Sequence, residues 1–177
     1  MQWLRPLGWI VVLWGAFAAT GCAPALDWRE VRVQGTAVTL MLPCKPQSSA
    51  RSVQLAGQAV RMSMLACKAA ELTWALGFAD VAEPARLGAA LRALREGTMA
   101  NLQAQVVRSA PAVVRGATPH ESSLFVQLRG RRPDGGPAEG RLAVFAHGTR
   151  VFQAVVLGES VPEEAAEMFF LSLRVGP

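Results

Sequence analysis

Few side chains in this 177-residue chain are equipped for chemistry. The cysteines are Cys22, Cys44 and Cys67, and the histidines are His120 and His147. Cys44, Cys67, His120 and His147 make a formal two-cysteine, two-histidine set, and Met41, Met62 and Met64 add soft sulfur suited to copper(I). Their spacing fits no zinc template, and methionines alternating along a strand more commonly fill a core. The cysteines also lack the C-x-x-C spacing that lowers a thiol pKa, which argues against a redox site. A hydrolase needs a nucleophile, a base and an orienting group. His120 follows Pro119 in an expected loop and His147 ends an expected hairpin strand, so both read as surface or turn residues. No G-x-S-x-G, H-E-x-x-H, P-loop or G-x-G-x-x-G run occurs. Glu163 and Glu164 open an expected helix, where carboxylates offset the dipole rather than catalyse. The expectation is a protein with no catalytic residues, no cofactor and no metal.

The third cysteine has a different context. Arg5 is the only charge before Asp27, and Leu7 to Ala19 is an apolar run of signal-peptide length. It falls short of the ~20 apolar residues of a membrane span. The run closes on Ala18, Ala19, Thr20 and Gly21 directly before Cys22. That ending resembles the lipobox of bacterial lipoproteins, with Ala19 where the pattern usually has Leu. The resemblance implies cleavage after residue 21 and acylation of Cys22. Two or more acyl chains hold a protein stably on a bilayer. Ala23, where an aspartate would resemble an inner-membrane retention signal, implies sorting to the outer membrane, facing the periplasm. Two other readings stay open: an ordinary secretory signal, since Ala16-Phe17-Ala18 and Ala23-Pro24-Ala25 both offer A-x-A-like cleavage sites, and an uncleaved anchor.

The resulting division is a signal peptide over 1–21, a lipidated tether over 22–27 and a single domain over 28–177, long enough for its own core. The net charge of +5 loses only the unit of Arg5 with the leader, and nearly all the positive charge is arginine, with Lys45 and Lys68 the only lysines. Outside the cytoplasm this surplus reads as solubility, with no nucleic acid as partner. The arginines from Arg129 to Arg132, with Arg141 across the hairpin, read as a solvated turn, an anionic headgroup being the sharper alternative. With Cys22 assigned to lipid, Cys44 and Cys67 remain as a pair, and an oxidising compartment favours a disulfide between them.

Period-two alternation predicts strands at Val31 to Val33 and Val38 to Leu42, ending at Pro43. A polar loop is expected over Lys45 to Ala50, then a strand at Val53 to Leu55, a tight turn at Ala56-Gly57-Gln58, a strand from Val60 to Ala66 and another with Trp74, Leu76 and Phe78 on one side. An antiparallel meander of these brings Cys44 and Cys67 to the same end. Side-chain parity opposes the pairing, because Cys44 continues the inward phase of Leu42 while Cys67 shares the phase of Arg61, although Pro43 can break the first phase. Pro84 is expected to open the one long helix, with Leu87, Leu91, Leu94, Thr98 and Leu102 on its apolar face. Strands follow at Val106-Val107, Val113-Val114 and Leu124 to Leu128; a turn cluster covers Arg129 to Pro137; a hairpin joins Leu142 to Ala146 with Val151 to Leu157; and a closing helix spans Pro162 to Leu173. The fold class is α+β, an antiparallel sheet with packed helices.

The strand Val38 to Pro46 ending in P-C-K-P, the Leu55-Ala56-Gly57 turn, the helix entry from Phe78-Ala79-Asp80 to Pro84, and the terminal Met168-Phe169-Phe170-Leu171-Ser172-Leu173 together resemble exported bacterial proteins of the fold shared by PsbP and Mog. This resemblance implies an α/β/α sandwich and a binding or assembly accessory that contacts an envelope protein or polymer. Such a protein needs an exposed apolar patch, for which Trp28 and Trp74 are the first candidates. The alternative is a metal- or small-ligand-binding periplasmic lipoprotein, which requires free thiols.

Overall fold

The computed structural model describes residues 26–132 and 134–176. The leader, Cys22 and most of the tether therefore lie outside the described residues. The elements run β1 (Arg29–Arg32), β2 (Val38–Leu42), β3 (Gln47–Leu55), β4 (Gln58–Ala69), β5 (Leu72–Asp80), a 3₁₀ turn (Pro84–Arg86), α1 (Leu87–Asn101), β6 (Gln105–Pro111), β7 (Leu124–Arg131), β8 (Pro137–His147), β9 (Arg150–Gly158), α2 (Glu163–Leu171) and β10 (Arg174–Val175). The fold is α+β. No helix among the described residues is long and apolar enough to cross a membrane.

Seven strands form one antiparallel sheet in the order β3-β4-β5-β9-β8-β7-β6, and three form a second in the order β1-β2-β10. Both faces of the large sheet are covered. α1 lays Leu87, Ala90, Leu91 and Leu94 on one face, against Val126, Leu142, Val144 and Val151. The small sheet and α2 cover the other, where Val38, Leu40, Leu42 and Phe169 meet Trp74, Leu76, Phe145 and Phe152. Double coverage explains the apolar runs of β8 and β9, whose two side-chain rows each enter a core; only Gln153 interrupts the run of β9.

Three expected boundaries move for physical reasons. Gln47 to Ala50, expected as loop, belongs to β3, which pairs with β4 without interruption from Gln47↔Ala66 to Leu55↔Gln58. It is a sheet edge largely outside both cores, so it needs no apolar alternation. Arg129 to Arg131, expected as turn, continues β7: the Arg131 N–H donates to the Leu102 carbonyl at 2.7 Å, and a Cβ on Gly130 would lie 2.2 Å from that oxygen. Gly130 is thus a close-approach glycine. The closing helix stops at Leu171, because the Ser172 hydroxyl donates to the Phe169 carbonyl at 2.6 Å and accepts from the Met41 N–H at 2.8 Å, turning the chain into β10.

Val113-Val114, expected as a strand, is irregular. β6 ends at Pro111, and the segment runs on to Gly116, whose φ of +78° suits only glycine. A Cβ there would sit 1.9 Å from the Val175 carbonyl oxygen, and Val175 N–H donates to the Arg115 carbonyl at 2.8 Å. Gly116→Ala is therefore expected to cost about 2 kcal/mol and to free β10, read as faster amide exchange at Val175.

The parity objection to the disulfide dissolves in this architecture. Cys67 shares the phase of Arg61, as expected, but that phase faces the small sheet rather than water. Cys44 and Cys67 are bonded, with Cα atoms 6.0 Å apart. The bond ties the chain just beyond β2 to β4, and so one sheet to the other.

Candidate functional site

The chain enters the domain where the Asp27 N–H donates to the Pro43 carbonyl at 2.9 Å, at the sheet end that carries the disulfide. Neither expected tryptophan forms an exposed patch. Trp74 is 0% exposed, its ring edge-on to both Trp28 and Phe169 at 5.5 Å. β5 is an interior strand, and the small sheet covers the face on which Trp74 stands; from sequence alone that cover was invisible.

The open apolar surface lies instead where α2 crosses β6, β7 and β8. Two cross-strand rows form the floor. One is Arg108, Gln127 and Arg141; the other is Ala110, Phe125 and Ala143. α2 sets Glu163 and Glu167 toward the polar row, and Ala166 and Phe170 toward the apolar one. The Phe125 and Phe170 rings meet edge to face at 5.0 Å. The resulting groove has a volume of about 310 Å³. Its lining includes Val113, 94% exposed, and Leu171, 83% exposed. Large apolar side chains so exposed beside a half-buried aromatic floor make this groove the candidate interaction surface among the described residues.

Electrostatics close one end of the groove. The Arg141 side chain is only 11% exposed; its Nη2 lies 2.6 Å from Glu163 Oε2 and donates to the Val161 carbonyl at 3.2 Å. The hydrogen bond from Arg141 holds the Glu163 carboxyl below its ordinary range against the opposing desolvation, with smaller help from the charges of Arg141 and Arg108. A depressed carboxyl stabilises the folded state above the ordinary carboxylate pKa, and the contribution is lost as pH falls through the lower folded value. Acidification below about pH 4 is thus expected to loosen the first turn of α2. Amide protection there, taken relative to the intrinsic exchange rate at each pH, should fall with acid in the wild type and fall less in Glu163→Gln.

The formal metal set is not assembled. Cys44 and Cys67 are consumed by their disulfide, and among the described residues no three His, Cys, Asp or Glu side chains are placed to hold a metal ion. The imidazoles bond to backbone groups: His120 Nδ1 accepts from the Ser122 N–H at 3.0 Å, and His147 Nδ1 lies 3.1 Å from the Gly116 carbonyl. The Ser122 hydroxyl accepts from Arg92 Nη1 at 3.3 Å rather than meeting the ring. Glu163 and Glu164 do occupy the first turn of α2, and Arg129 and Arg132 pair with Glu139 at 3.4 Å and Asp134 at 3.3 Å. Arg141 leaves that cluster for the groove; its only sequence signal was an arginine at an inward strand position between Glu139 and Ala143.

No family model matches the chain, and no curated protein matches it.

Proposed function

We propose that this chain is a non-enzymatic lipoprotein of the cell envelope, held on the periplasmic side of the outer membrane by acylated Cys22, whose domain binds another envelope protein through the groove beside α2. The observation that carries the binding reading is the pair Val113 and Leu171, strongly exposed in the same groove as Phe125 and Phe170. An apolar side chain of a partner seated against them removes both from water at about 25 cal/mol per Å². The layering of α1, the large sheet, and the small sheet with α2 supports the likeness to the PsbP and Mog fold and, with it, an accessory rather than catalytic role. The anchor rests on the lipobox ending at Cys22. Because the domain begins within a few residues of Cys22, at ~3.5 Å per residue, it sits close to the bilayer.

Two readouts test this in cells. A photo-crosslinking residue at Leu171 should capture one defined protein, and the same residue at Arg95 on α1 should not. Leu171→Asp should abolish capture from Val113 while changing stability by less than about 0.5 kcal/mol. Equal capture from Arg95 contradicts the groove; an intact mass without acyl groups on Cys22 contradicts the anchor. The groove volume also meets the lower bound of small-ligand pockets, about 300 Å³, so an apolar small molecule is the second reading. A ligand retained in native mass spectra, with no crosslinked protein, selects it.

A further inference from the structure

We propose that the free edge of β1 accepts an extended, acidic segment of a partner protein as an added strand. This site is separate from the α2 groove and does not depend on it. The small sheet stops at β1, whereas the large sheet beneath continues outward through β4 to β3. One strand position above β3 and β4 is thus left open. It is a slot of about 540 Å³, walled by Val31 and Arg32 and floored by Ala50, Ser63, Leu65 and Phe78. Leu65 and Phe78 are only partly buried, although they stand on the face that elsewhere carries the inter-sheet core.

The backbone of β1 is oriented for this. The Val33 N–H donates to the Val38 carbonyl at 2.9 Å, and the register continues through Val31↔Leu40 and Arg29↔Leu42. Hydrogen-bonded pairs alternate along an antiparallel ladder, so Arg29 and Val31 turn their backbone groups to β2. The N–H and C=O groups of Glu30 and Arg32 therefore point into the slot. An added strand would pair with them and lay alternate side chains on Leu65 and Phe78, which is the usual form of strand addition: main-chain bonds for affinity and pockets for specificity.

Charge selects the occupant. Arg32 is the one charged residue lining the slot. Arg61, exposed, stands on the same face of β4 as Ser63 and Leu65 and extends the positive rim. Among the described residues neither arginine has a carboxylate partner, whereas Glu30 is held by Arg174 at 2.5 Å. A short, charged edge also resists indiscriminate pairing. An acidic strand is the complement that both features leave.

The probe is an eight-residue peptide of alternating valine and glutamate, added to the full chain extracted in detergent. Saturable binding with a Kd below about 1 mM is expected, with slowed amide exchange at Glu30 and Arg32. Arg32→Ala should weaken it by up to about fivefold. Arg32→Pro, which also removes an N–H that the fold leaves unused, should cost a further two- to tenfold or so. On the wild-type protein, a peptide N-methylated at alternate residues should not bind, an arm that needs no variant to fold. The proposal is overturned by an absence of saturable binding, or by equal binding of the N-methylated peptide or of a valine-lysine peptide. It is equally overturned if the same amides become protected by raised protein concentration alone, which would make the occupant a second copy. Protection by phosphatidylglycerol vesicles but not by the peptide would assign the slot to lipid instead.

Discussion

Trp74→Ala is expected to lower stability by about 4 kcal/mol, the largest effect of any single substitution argued for this chain. Trp74 is wholly buried at the centre of the layer between the two sheets. Its indole meets Trp28 from the chain entry on one side and Phe169 of α2 on the other, so one side chain joins three parts of the fold. Its Nε1–H donates to the Ala69 carbonyl at 3.3 Å, fixing the turn between β4 and β5. Truncation removes the largest buried side chain and leaves a cavity whose walls, strands on one side and a helix on the other, cannot collapse together. Trp74→Phe separates the contributions: it keeps an aromatic ring and loses mainly the N–H donor, for about 1 kcal/mol. Urea denaturation of both variants gives the comparison. A loss below about 2 kcal/mol for Trp74→Ala would mean that the small sheet and α2 are not packed on the large sheet as described.

The same residue shows where sequence reading succeeds and where it stops. The alternation of Trp74, Leu76 and Phe78 correctly places them on one side of a strand, because period two is a local property of the backbone. Whether that side faces water is decided by residues 33–42 and 161–175, distant in sequence, and nothing local reports it. Cys67 is the same case: its phase on β4 follows from local alternation, but that phase faces the small sheet, which nothing local in the sequence reports. α1 is legible since Leu87, Leu91, Leu94 and Thr98 repeat at helical spacing and are buried, although Pro84 opens a 3₁₀ turn ahead of the helix rather than the helix itself. The start of β3, Gln47 to Ala50, is illegible because an edge strand needs no apolar face, whereas its end at Val53 to Leu55 is read as strand. The groove is the hardest case. Arg108, Gln127 and Arg141 come from three strands, and only the pairing register shows that they form one row.

Removal of the disulfide is the second large effect, and it tests the link between the layers most directly. Cys44 and Cys67 close a loop with a sequence separation of 23, for which the chain-entropy estimate is about 3 kcal/mol. The double variant Cys44→Ala/Cys67→Ala is the appropriate comparison, because Cys67 is 9% exposed and a serine there would bury a hydroxyl. At about 2 to 4 °C per kcal/mol for a domain of this size, its melting temperature should fall by roughly 10 °C. The loss should also be uneven. The large sheet keeps its own ladder from β3 to β6, whereas β1 and β2 are held to it mainly by apolar contacts, with the Arg150 hydrogen bond to the Gly35 carbonyl, once the bond is gone. Amide exchange should therefore accelerate in β1, β2 and β10 before it does in β8 and β9. If the double variant matches the wild type in both stability and exchange, apolar packing alone fixes the small sheet. If exchange accelerates evenly across both sheets, the two layers unfold as one unit and the bond acts on the unfolded chain rather than at the seam.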